Sequence, residues 1–371
     1  MMNALGIVFS NIHDNNVPEL TTNRTMASIP FVGRYRLIDF VLSSMVNSGI
    51  SHVGCITNRN YRSLMDHVGS GKEYDLARKH GGFVLLPPFG ENDYTSLYST
   101  RLEALKTVLG FINRCTEEYV VLSDCNSVYN IDFTEMMKYH TENQSDITLL
   151  YVKKNALDVY GTNNVIIKVD EENRLKEVAI DPRMQGKVNV YGDIAIMKRT
   201  LLTSLVSDAV AHGARHFIKD VIAKNMNRLK VMCYQHTGYF EEISSLKRFY
   251  EVNLGLLDIK TRENLFGGGE IYTMIKDSAP TKYGANAIVK NSLVSDGCII
   301  EGEVYNSVLF RGVKVSRGTV VKNSVIMKGT ITGENVTLNC VIVDKNVVIR
   351  DRVCLSGADN HPFYIPKETT I

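Results

Sequence analysis

Ala4-Leu5-Gly6-Ile7-Val8-Phe9, running into Ser10-Asn11-Ile12-His13-Asp14-Asn15-Asn16, is the stretch on which the fold turns. The uncharged apolar run reads as a buried strand and the polar run behind it as the loop at its carboxyl end. The same grammar recurs along the first two thirds of the chain. Apolar stretches at 52–57, 119–122, 147–152, 165–169 and 229–233 alternate with helical patterns such as 37–48 and 101–114, and 249–257 reads as a closing helix. This alternation predicts an α/β class domain on a doubly wound sheet, with its ligand cleft beyond the carboxyl ends of the strands. A loop that cradles phosphates there needs the close backbone approach and positive φ that glycine permits. Residues 10–16 contain no glycine.

Past Gly267-Gly268-Gly269 and Pro280 the pattern changes. Short β-branched stretches recur at about six residues: Leu293 with Ile299, Val325 with Ile331, Thr337 with Val343 and Ile349, and Val341 with Val347 and Val353. Such a period is the mark of a parallel β-helix, in which each coil stacks its apolar position on the next. Asn291-Ser292, Asn306-Ser307 and Asn323-Ser324 supply a second, longer register. The division expected is 1–258 for the α/β domain, 259–285 for a linker and 286–371 for the β-helix. The glycine triplet has no strand before it and no helix after it, which argues against a phosphate loop.

Composition narrows the function. The 371 residues are 44% hydrophobic and 22% charged with a formal net charge of +2, which suits a core of two domains. No basic stripe interleaved with aromatics speaks for nucleic acid. No apolar run approaches a membrane span, and the first residues lack a signal peptide's pattern, so a cytoplasmic location is expected. Seven scattered cysteines without a Cys-x-x-Cys pair read as reduced thiols.

Leu20-Thr21 followed by Gly33-Arg34-Tyr35-Arg36-Leu37-Ile38-Asp39-Phe40 resembles the ADP-glucose pyrophosphorylase (glucose-1-phosphate adenylyltransferase) family, and the likeness extends over nearly the whole chain. The family pattern runs Gly-Gly-x-Gly-x-Arg-Leu, Leu-Thr, Lys-Pro-Ala-Val and Gly-x-x-Arg-Ile-Ile-Asp-Phe. Laid on this chain without a gap, it puts Asn11, Ile12 and Asp14 at its glycines and Asn16 at its loop arginine. Met26-Ala27-Ser28-Ile29 meets Lys-Pro-Ala-Val. The resemblance also implies that the β-helix is left-handed. Asp39 reads as a structural residue that fixes the Arg36 segment, and His13 as a solvated loop residue.

The family's reaction is attack of a sugar 1-phosphate on the α-phosphate of ATP, with Mg²⁺ held by two carboxylates. The match of Cys125-Asn126-Ser127-Val128-Tyr129 with Gly-Asp-His-Ile-Tyr puts Asn126 at the first of them, and an amide is a poor substitute. Asp124, two residues earlier, would replace it if the strand end bulges. Glu242 in Gly238-Tyr239-Phe240-Glu241-Glu242-Ile243 falls at the second. Asp181 in Ile180-Asp181-Pro182 meets the sugar-phosphate lysine of Glu-Lys-Pro, and Thr100-Arg101-Leu102 replaces the start of the nucleotide segment that Glu103-Ala104 completes. No cofactor is then required by the chain alone, and Mg²⁺ only for residual activity, on Asp124 and Glu242.

Arg34 falls at a lysine that contributes to sugar-phosphate effector binding in the family, with Arg36 beside it. The resemblance is to the D-type subunit of bacterial glycogen synthesis. It implies a regulatory, weakly active or inactive chain that joins an intact catalytic paralogue in a hetero-oligomer, a tetramer being the expected size. Three other readings stay open: a working adenylyltransferase with a remodelled loop, a stand-alone sugar-phosphate sensor, and a hexapeptide acyltransferase. The last would have to rely on His361, the one histidine after Ala285.

Overall fold

The computed structural model describes residues 2–88, 98–159, 164–180 and 182–371. Strand Ala4–Phe9 is buried at every position and lies in the middle of a nine-stranded sheet, parallel to His52–Ile56 on one side and Tyr119–Asp124 on the other. The sheet is mixed. Lys187–Lys198 runs antiparallel to Tyr119–Asp124 and also pairs with Ile147–Asn155. That long strand slips register between Tyr191 and Ala195, and Asp193 inside the irregularity takes a left-handed φ of 58°. Helix Leu37–Asn47 packs so closely on the central strand that a Cβ on Gly6 would meet the Met45 sulfur at 2.7 Å. The helical stretch expected at 101–114 is two helices, Arg101–Thr107 and Leu109–Arg114, that share Val108 as a cap residue.

From Lys282 the chain winds into three five-stranded parallel sheets, the architecture of a left-handed β-helix. Coil positions stack in register, as in Ile300 with Val315 and Val304 with Val321 and Leu338, and these side chains are buried. Asn291, Asn306 and Asn323 each take a positive φ at a corner, and their amides donate up the stack at 2.8, 3.3 and 3.3 Å, the last to Asn339. Asparagine tolerates that conformation, so the longer register seen in the sequence is this ladder. The stretch expected as a linker is partly built. It holds helix Ile259–Phe266, which buries Leu265, and the first β-helix strand, Lys282–Tyr283.

One sheet of the β-helix faces the α/β domain, and Val308, Phe310, Val325, Met327 and Ile342 share a core with Val17, Leu20, Met26, Phe40, Phe249 and Tyr250. Polar ties fix the junction. Arg24 donates to both Asp344 oxygens at 2.9 and 2.7 Å, and the Tyr250 hydroxyl donates to the Asn323 carbonyl at 2.6 Å. Gly33 marks a close approach, since a Cβ there would lie 2.2 Å from the Ser295 hydroxyl.

Candidate functional site

The cleft lies where the sheet logic places it, at the carboxyl ends of Ala4–Phe9 and Tyr119–Asp124. Loop 10–16 closes on itself. The Asn11 amide donates to Asp14 at 2.6 Å and to the Arg59 carbonyl, and its oxygen accepts from Ser10 and from the Asn58 N–H. Asp14 also accepts the Met26 N–H at 2.7 Å. The Asp14 and Asn16 N–H groups go to the Asn11 and His13 carbonyls. Two backbone donors of the loop are thus spent internally. Burial pushes the Asp14 carboxyl up to about 6, against the hydrogen bonds from Asn11 and Met26. Met26 is buried in the core, so no cation enters from that position.

Asp124, at the end of its strand, meets a cation from the protein itself. Arg101 Nε donates to its two oxygens at 3.0 and 2.9 Å, and Arg101 Nη2 donates to Oδ2 at 2.5 Å. The same Nη2 lies 2.6 Å from Asp193 Oδ1. His13 is no solvated loop residue. Its Nε2 is 2.6 Å from Asp124 and 3.4 Å from Asp193, with only 19% of the side chain exposed. Burial alone would lower the His13 pKa, but the hydrogen bonds and charges of the two carboxylates raise it to about 10. Asp193 is held at about 2, the Arg101 and His13 charges outweighing its burial. Two carboxylates and two cations balance in a nearly closed cluster, with Arg101 15% and Asp193 14% exposed.

Glu242 stands apart from this cluster. Its strand, Phe240–Glu242, pairs with Ser127–Tyr129, and the Asn126 amide donates to Glu242 Oε1 at 3.1 Å. Burial, with Asp193 as a neighbouring charge, raises the Glu242 carboxyl. The carboxylates that converge are therefore Asp124 and Asp193, not Asp124 and Glu242. Asp181 lies outside the described residues. The residues present do not fit a Mg²⁺ ion between two carboxylates, because Arg101 covers Asp124 and the alternative ligand, Asn126, presents its N–H₂ to Glu242. Arg101 and Asp193 were the residues the sequence reading missed as site residues. The sequence marks only the helix start beside Arg101, where Thr100 accepts the Glu103 N–H and Glu103 accepts the Ser99 and Thr100 N–H groups.

A cavity of about 230 Å³ opens beside the cluster, lined by Asn16, Arg101, Asp193, His216, Lys219 and Glu242 among others. A second, small cavity of about 60 Å³ lies at the domain junction. Arg34 and Arg36 meet there with Lys276, Arg311, Lys328 and Lys345, and no carboxylate is among the described lining residues. Burial first, then the charges of Arg36 and Arg24, drive the Lys345 pKa down to about 6. Burial and Lys328 lower Lys276 as well. Arg36 donates to the Ser63 carbonyl and hydroxyl, while Arg34 is exposed and stacks its guanidinium over Tyr35. Asp39 is the structural residue expected: buried, it accepts from the Arg36 N–H, His67 and the Tyr74 hydroxyl.

Residues 17–258 match the nucleotidyl transferase family, and 278–362 match the GlmU-like C-terminal hexapeptide family. The chain is 34% identical over 98% of its length, and 95% of the relative's, to the glycogen biosynthesis protein GlgD of Bacillus subtilis. This chain belongs to the ADP-glucose pyrophosphorylase family of nucleotidyl transferases. Glucose-1-phosphate adenylyltransferases of Bacillus cereus and Bacillus mycoides are each 32% identical over 92% of this chain and 91% of their own. The nucleotidyl transferase match starts at residue 17, directly behind the loop whose glycines are missing. No helix among the described residues is long and apolar enough to cross a membrane.

Proposed function

We propose that this chain is a regulatory subunit of a glucose-1-phosphate adenylyltransferase in cytoplasmic glycogen biosynthesis. The parent reaction converts ATP and glucose 1-phosphate to ADP-glucose and pyrophosphate. The subunit is weakly active or inactive alone and acts by joining an intact catalytic paralogue in a hetero-oligomer. The observation that carries the reading is the Arg101 guanidinium lying on both oxygens of Asp124. Similarity to a protein named for glycogen biosynthesis supports the pathway. A transition state rich in phosphate charge is stabilised by positioned cations and metal, and losing one such contact costs about 10²- to 10³-fold in rate. Here the loop donors, two loop cations and a metal carboxylate are altered together, and such losses act as a unit.

The domain junction supports the regulatory half. Six basic side chains around one small cavity suit a phosphorylated effector, and arginine suits bidentate phosphate contact. The test is pyrophosphate release from ATP and glucose 1-phosphate by the purified chain, by the catalytic paralogue, and by their mixture. The expected result is no turnover alone and a changed rate or effector response in the mixture. Turnover by this chain alone within about tenfold of a typical 10 s⁻¹ would sink the reading.

A further inference from the structure

We propose that the Arg101 guanidinium is the resident cation of the cleft, filling the place between Asp124 and Asp193 that a divalent metal would take, so that the cleft excludes metal and any ligand enters it metal-free. The proposal deepens the reading above by naming what keeps the metal out. It is tested without a partner subunit, so a failure to assemble leaves it standing.

The argument is geometric. His13 Nε2 and one oxygen each of Asp124 and Asp193 lie within 4.8 Å of one another, an imidazole and two carboxylates converging on one point. With the His13 proton displaced, that donor set suits a first-row divalent ion. Arg101 bonds both carboxylates at 2.5 to 3.0 Å, so an ion placed among them would touch a guanidinium of like charge. Arginine does not give up its proton in proteins, so no ordinary pH clears the place. Arg101 is the first residue of helix Arg101–Thr107, whose start is fixed by the Thr100 and Glu103 capping box. Asp193 is aimed from a left-handed position in the irregular part of its strand, a conformation that costs energy and persists where surrounding contacts determine it. The cluster thus joins the loop behind Ala4–Phe9, the end of Tyr119–Asp124, the strand Lys187–Lys198 and a helix start.

The experiment is Mn²⁺ binding to the full chain, followed by the loss of the free-ion electron paramagnetic resonance signal. The expected result is no stoichiometric site tighter than about millimolar in the unaltered chain. Arg101→Ala and Arg101→Gln should each gain one ion per chain, bound at least about tenfold tighter, and adding Asp124→Asn should remove it. A site in the unaltered chain that Asp124→Asn abolishes overturns the proposal, as do folded Arg101 variants that gain none. Should the Arg101 variants lose their fold, recovery of it in millimolar Mn²⁺ supports the proposal, since an ion that binds only the folded state stabilises it. Failure of Mn²⁺ to restore the fold overturns it.

Discussion

His13→Gln isolates the ion cluster's contribution to stability. In the folded chain the His13 pKa is raised to about 10, the two carboxylates outweighing burial, whereas an unfolded histidine titrates near about 6.5. Between those values the folded chain binds the proton and the unfolded chain does not. His13 therefore contributes stability that is complete below about pH 6.5 and is lost as pH rises through about 10. The slope is about 1.4 kcal/mol per pH unit, so about 3 kcal/mol disappears between about pH 7 and 9.5. Glutamine keeps an amide donor but does not titrate. Lys345 and the other titrating groups are common to both proteins and cancel in the difference. The assay is urea unfolding of the two proteins at steps across that range, followed by circular dichroism. The stability difference should shrink steadily with pH. Parallel curves, or a ¹³Cε1 resonance of His13 that titrates near about 6.5, would refute the reasoning.

Asp344→Ala should lower stability by about 3–5 kcal/mol, seen as a lower thermal midpoint, because it strips the buried Arg24 of its carboxylate partner and Tyr364 of an acceptor. Sulfate binding at the domain junction should weaken as pH rises, by about tenfold between about pH 6.5 and 8, because Lys345 loses its proton near 6 and must regain it beside the anion. Calorimetry in buffers of different ionisation enthalpy would show the proton uptake, Lys345→Met should abolish the pH dependence, and an affinity flat with pH refutes the role. Gly302→Ala puts a Cβ 2.3 Å from the Thr319 carbonyl oxygen inside the β-helix. It should cost about 1–3 kcal/mol in thermal unfolding without altering sulfate binding.

The β-helix was legible because its physics is local. Each coil must offer an apolar side chain inward at fixed intervals, and each corner needs a residue that accepts positive φ, which Asn291, Asn306 and Asn323 announce. The empty glycine positions of loop 10–16 were equally readable, and the structure adds that Asn11 and Asp14 bond each other in their place. The ion cluster was not legible. Arg101 and Asp124 are 23 residues apart, and His13 and Asp124 are 111 apart. No period links them. Asp193 lies in a stretch whose sequence pattern predicts no strand, and its place in the cluster depends on a register slip in Lys187–Lys198. The mixed sheet was hidden for a similar reason, since an apolar run carries no mark of its direction.

The two sites of this molecule stand in opposite electrostatic states, and the contrast bears on which of them receives a ligand. In the cleft, Arg101 and His13 neutralise Asp124 and Asp193 with short internal bonds, so little unbalanced field is left to recruit a charged substrate. At the domain junction, burial and then the charges of Arg36 and Arg24 drive Lys345 down to about 6, a condition that opposes folding at every pH below the unfolded lysine's pKa of about 10. A bound anion removes that penalty and is held by it in turn. The cost is borne at a place where the α/β domain and the β-helix both contribute residues, Arg34 and Arg36 from the first and Arg311, Lys328 and Lys345 from the second. An anion seated there would bridge the two domains. Arg36 is also the residue whose backbone N–H Asp39 accepts at the start of helix Leu37–Asn47, which packs against the central strand. Occupancy of the junction is thus linked by direct contact to the sheet that carries the cleft, the route we propose for an effector signal.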